Sequence, residues 1–114
     1  MNDVAATIGI ANLKFIDSIL YVHRINADYY LSELKDVDGA TLLKNEPDRD
    51  SAFWLFTMKV QRRDDFMKYM TENGVMTSKV HARNDLHFCM KPFKTELPNL
   101  EEFVKEMISI PVGG

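Results

Sequence analysis

From Leu13 onward, apolar side chains recur at spacings of three and four, so that Leu13, Ile16, Leu20, His23, Ala27, Tyr30 and Leu34 fall on one helical stripe. The helix is expected from about Asn2, where Asn2 or Asp3 would cap it, to Leu34, with a break near Gly9 or Lys14. His23 lies inside the stripe and reads as a half-buried, hydrogen-bonded structural histidine. A second apolar set, Val4, Ile10, Phe15, Ile19, Val22 and Ile25, lies off that stripe, and a helix apolar on more than one face needs more than one partner. After the turn Asp36-Val37-Asp38-Gly39, Ala40 to Leu43 reads as a short strand. The near-continuous apolar run Ala52 to Val60 predicts a central strand covered on both faces.

Arg62 to Asn73 is expected to be helical, with Asp64 and Asp65 in the first turn, Phe66, Met67 and Met70 facing inward, and Gly74 ending it. Val75 to Val80 reads as another strand. Asn99 then caps a helix with Glu102 three residues on, and Leu100, Phe103, Val104, Met107 and Ile108 form its buried face. The chain closes on an extended apolar tail, Ser109-Ile110-Pro111-Val112. The pattern predicts helices mixed with a few short strands in a single domain spanning 1–114, opened by a long N-terminal helix with a break.

Composition narrows the function more than the fold. A chain of 114 residues, 46% hydrophobic, can bury roughly 60 to 70% of its unfolded surface without staples. Its one cysteine, Cys89, cannot form an intramolecular disulfide, which points to a reducing, cytoplasmic setting. A net charge of −3 with interspersed signs offers no basic footprint for nucleic acid. The uncharged run after Asp3 is too short for a bilayer, which needs about 20 apolar residues, so no membrane is expected as a partner.

Chemically versatile side chains concentrate in Ser78-Lys79-Val80-His81-Ala82-Arg83-Asn84-Asp85-Leu86-His87, followed by Cys89. Polar groups this dense are costly to bury, so the stretch is either a solvated connection or a ligand-facing loop. A metal site on His81, His87 and Cys89 matches no defensible ligand spacing, and none is expected. A Cys89 nucleophile is weaker still, and Cys89 reads better as a small buried hydrophobe. Arg83 with the two histidines suits an anion: a guanidinium fork takes phosphate or carboxylate bidentately. Residue chemistry alone leaves a solvated loop and an anion or sugar site both open.

The order Met1-Asn2-Asp3, Ala5-Ala6, Gly9, Ala11 and Leu13, then Arg24, Ala27, Tyr30 and Leu34, resembles the helix pair of the DegT/DnrJ/EryC1/StrS sugar aminotransferases. Phe53-Trp54-Leu55-Phe56, the Arg62-to-Gly74 helix, the His81–His87 loop, and Leu97-Pro98-Asn99 through Ile110-Pro111 resemble further segments of the same family, in the same order. The resemblance implies an α+β fold, a small antiparallel sheet with helices on one side, as the small domain of a fold type I enzyme that uses pyridoxal 5′-phosphate (PLP). Such an enzyme is an obligate homodimer that moves an amino group from glutamate to a keto sugar nucleotide in amino-sugar or polysaccharide biosynthesis.

The family's Schiff-base lysine belongs to the large domain, upstream of everything here, so the chain is expected to be a C-terminal small domain truncated at both ends and inactive alone. No lysine in it is a catalyst; Lys79 and Lys91 read as surface residues. The resemblance implies substrate contacts for His81, Arg83, Asn84, Asp85 and His87, in the loop that reaches toward the sugar nucleotide. The loop departs from the family's usual His-aromatic-x-Pro-x-His: it is one residue longer and lacks the proline. That departure leaves the sugar open. Dehydratase relatives that replace the lysine with histidine would look alike over this stretch. The rival reading, of a different class, is a non-enzymatic α+β module that binds a small anion or a protein partner.

Overall fold

A computed structural model of the chain describes residues 2–113. The order is α1 (Asp3–Leu13), α2 (Ile16–Leu34), β1 (Ala40–Leu42), β2 (Phe56–Val60), α3 (Arg63–Glu72), α4 (Pro98–Glu106) and β3 (Met107–Ile110). The three strands form an antiparallel sheet in the order β1-β2-β3.

Asn2 caps α1: its side-chain oxygen accepts the Ala5 N–H at 2.8 Å. The expected break falls at Lys14 and Phe15, where Phe15 leaves helical geometry at φ −110, ψ 0 and the axis turns by 65°. Gly9 stays helical, as a lone glycine can at a cost of about 1 kcal/mol against alanine. Among the described residues no single helix is long and apolar enough to cross a membrane.

Only the second half of the predicted stripe reaches the core. Ala27 is fully buried, and Tyr30, Leu31 and Leu34 pack against the sheet. Leu13 is 65% exposed and Ile16 41%. The physical reason is width: three strands span roughly 10 to 15 Å, whereas the 19 residues of α2 run about 28 Å, so the helix overhangs the sheet. His23, on the overhang, is half-buried as expected, but among the described residues its side chain makes none of the hydrogen bonds expected of it, because the overhang leaves it no polar partner.

β2 is central, but its pattern alternates. Phe56, Met58 and Val60 are buried on one face, while Thr57 and Lys59 are only half-covered on the other. It also starts later than Ala52, because Phe53 turns the chain through a left-handed conformation, φ 43, that side chains seldom adopt. The expected strand Val75–Val80 shrinks to one bridge, in which Ser78 and Ser109 exchange backbone bonds of 3.0 and 2.9 Å, while Met76 faces water.

α3 matches its expectation, with Gly74 at φ 78 after its last turn. In α4, Asn99 is not the cap. Pro98 takes the first helical position, which its fixed φ favours, and Leu97 precedes it without a side-chain cap bond. α4 therefore ends at Glu106, and Met107 and Ile108 are buried in β3 instead of on the helix face. The apolar end becomes structure too. Ile110 and Val112 join the core, the Asn26 amide donates to the Val112 carbonyl at 2.7 Å, and the Tyr30 hydroxyl to that of Pro111 at 3.0 Å.

Candidate functional site

Past the Ser78–Ser109 bridge the chain leaves the sheet edge and enters the polar loop, which α4 and the start of β3 support from beneath. Asn84–Leu86 forms one 3-10 turn and Phe88–Phe93 a second. His81, Ala82, Arg83, Asn84 and Asp85 rim a cavity of about 530 Å³ whose floor includes Met90, Phe103 and Met107. Four of the five predicted contact residues therefore share one concavity. His87 does not line it.

Arg83 is not a free anion clamp. Its Nε donates to Asp85 Oδ1 at 2.9 Å, a second guanidinium nitrogen donates to Oδ2, and Glu101 Oε1 lies 3.7 Å from the third. The two side chains are only 12% and 18% exposed. This bidentate pairing holds the Asp85 carboxyl below the usual carboxylate range, against the opposing effect of desolvation, and raises Arg83 further. The pair closes the 3-10 turn on itself, and its lone pairs and donors are largely spent within the loop. Recognition groups left open at the rim are His81 and Asn84, both exposed.

Cys89, expected to be buried, is instead exposed on the second 3-10 turn, a surface turn in which no residue is buried. Among the described residues, no group of three or more His, Cys, Asp and Glu side chains is placed to hold a metal, and His81, His87 and Cys89 are not gathered. Sequence reasoning missed Trp54. It is 69% exposed and stands edge-on to His81, ring centroids 6.4 Å apart. Inside an apolar run it reads as core, and only the turn at Phe53 pushes it out.

Two half-covered or cavity-side lysines are held in ion pairs. Lys44, at the wall of a cavity of about 200 Å³, has its amine 2.7 Å from Glu46, and the Lys59 amine lies 3.0 Å from Glu106. A Schiff-base lysine needs an amine free to react, and both of these are paired with a carboxylate. Lys79 and Lys91 sit on the surface, as expected.

A small antiparallel sheet backed by helices, with a polar loop rising from its edge, matches the small domain of an aminotransferase fold. The chain belongs to the DegT/DnrJ/EryC1/StrS aminotransferase family, whose model matches residues 1–114. It is similar to the sugar aminotransferase CalS13 from Micromonospora echinospora, with TM-score 0.94, 38% identity, and coverage of 99% of this chain and 31% of that one. AtS13 from Actinomadura melliaura superposes with TM-score 0.92 at 42% identity, covering 99% and 30%. The dTDP-3-amino-3,4,6-trideoxy-alpha-D-glucose transaminase of Streptomyces venezuelae is 30% identical over 89 residues, covering 74% of this chain and 23% of the relative. The chain thus spans about a third or less of the proteins it matches.

Proposed function

We propose that this chain is the C-terminal small domain of a PLP-dependent transaminase that transfers an amino group from glutamate to a keto sugar nucleotide. The observation that carries the reading is the fit of residues 1–114 to the family, with 38% identity to a sugar aminotransferase at TM-score 0.94. PLP is held by chain outside these residues, a reading supported by the ion-paired amines of Lys44 and Lys59. It supplies the electron sink when bound. The small domain's part is to present the loop of His81, Arg83, Asn84, Asp85 and His87 to the sugar nucleotide. Within that loop the Arg83–Asp85 pair sets the shape, and His81 and Asn84 face the ligand. The enzyme works as a homodimer, in keeping with the apolar faces left open on α1 and α2. It works in the cytoplasm, where exposed Cys89 stays a thiol.

Three measurements test this. The chain alone, mixed with PLP and reduced with borohydride, gives no stoichiometric adduct on any one lysine; such an adduct would overturn the assignment of the cofactor elsewhere. Joined to the large domain of a similar sugar aminotransferase, it supports glutamate-dependent amination of a keto sugar nucleotide. In that enzyme His81→Ala raises KM far more than it lowers kcat, because the imidazole binds the substrate equally in its ground and transition states.

A further inference from the structure

The segment before β2 is braced at several points around one outward residue. The Arg24 guanidinium donates to the Ser51 carbonyl at 3.2 Å and to Asp50 at 2.8 Å, and Ser51 Oγ accepts the Phe53 N–H at 3.1 Å. Phe53 holds a left-handed backbone, φ 43, unusual for a bulky side chain, and stacks on Phe56 at 6.4 Å between centroids. The consequence is that Phe53 anchors inward while Trp54 is turned into water against His81; His81 lines the 530 Å³ cavity, and Trp54 stands just outside it. Two segments 27 residues apart in sequence thus put an indole and an imidazole side by side, their planes at 61°. Strain kept where it exposes an aromatic ring marks a site, since burying Trp54 would gain apolar area and relieve the turn.

We infer that Trp54, with His81, is a platform for a ring of the sugar nucleotide. The inference rests on the proposed function and names the part of the substrate this surface takes. An indole face stacks on a nucleobase or lies under the C–H face of a sugar ring; it does not bind a diphosphate. The guanidinium that would take phosphate is spent on Asp85. The pyrophosphate is therefore held by other groups, and Trp54 takes a ring.

Trp54 is the only tryptophan, so its emission reports on the site directly. The purified chain is titrated with dTDP-glucose as probe, followed by fluorescence and calorimetry. A saturable change in Trp54 emission is expected. His81→Ala weakens the affinity by about tenfold, on the scale of one base–aromatic stack removed. By calorimetry Trp54→Ala abolishes binding, whereas Trp54→Phe retains most of it and the urea midpoint of each variant stays in place. If dTDP alone reproduces the change, the ring is the base; if glucose 1-phosphate does, it is the sugar. Binding seen by calorimetry with no change in emission overturns the inference, as does no binding by either method at millimolar probe. An emission shift that follows protein concentration and ignores the probe also overturns it, assigning Trp54 to contact between copies. The proposed function fails separately: a joined enzyme that turns over no keto sugar, with the Trp54 titration intact, removes the activity and leaves the platform.

Discussion

From Ala27 to Leu34, α2 lies on the sheet, with Ala27 fully buried against Phe56, Met58 and Ile108. One helical stretch earlier, the same helix holds Ile16, Ile19 and Val22 in water, 41, 44 and 42% exposed, and α1 adds Val4, Ile8 and Ile10. The apolar content of the two regions is comparable. What differs is whether the chain itself supplies a partner. Periodicity therefore states that a face wants cover, not where the cover comes from. An exposed apolar surface this continuous is uncommon on a monomer.

The largest effect should separate the two regions outright. Ile108→Ala, at a position with 0% exposure in the middle of β3, is expected to destabilise the chain by about 2 to 5 kcal/mol, from reduced burial plus the cavity left behind. Ile10→Ala, 65% exposed, should stay within about 0.5 kcal/mol. Urea denaturation of both variants checks this, and equal losses would mean that α1 is packed in solution.

Next in size is association through the open face. Sedimentation at several concentrations is expected to show self-association, and Ile19→Asp should return the chain to monomer by placing a charge in the interface. A strictly monomeric species at every concentration would mean the second apolar face finds cover within the chain.

Much of this architecture was legible from the sequence. The helix start at Asn2 or Asp3, a break at one of two places, Gly9 or Lys14, β1 and α3 with its glycine stop follow from local signals of caps, turns and period, whereas the antiparallel sheet follows from the family resemblance. The misses share a cause. Val75–Val80 and the first half of the α2 stripe have the right pattern, but the sheet has no edge long enough to pair the one and no width to cover the other. The site was half legible. The density of polar groups marked residues 78–87, yet whether Arg83 faces a ligand or Asp85 depends on a turn geometry that spacing does not encode. Trp54 was hidden because its neighbours Phe53 and Leu55 are genuinely apolar, and a single backbone angle decides its side.

The Arg83–Asp85 pair gives a smaller, pH-dependent effect. Asp85 titrates below its unfolded value in the folded chain, so its stabilisation is fully present above about pH 4 and is lost as pH falls through the lowered folded value. Asp85→Asn should therefore destabilise at pH 7, and its deficit against the parent should shrink as pH drops below about 4. A deficit unchanged between pH 7 and pH 2 would show that shape, not charge, is what Asp85 contributes; urea midpoints across that range decide it.

The smallest effect is the sharpest test of the contrast. Asn2 caps α1 through one 2.8 Å bond, and removing such a cap with Asn2→Ala ordinarily costs about 1 kcal/mol of helix stability. Global unfolding feels that loss only if the helix melts together with the core. α1 has no buried residue, so its unfolding should be local. At concentrations too low for association, Asn2→Ala is expected to leave the urea midpoint unchanged while hydrogen exchange speeds up at amides 5–13. At high concentration, where a second copy covers the helix, the same substitution should begin to lower the midpoint. A midpoint that falls by the full cap value in the dilute chain would mean α1 already docks on the domain, and the two regions would no longer differ in kind.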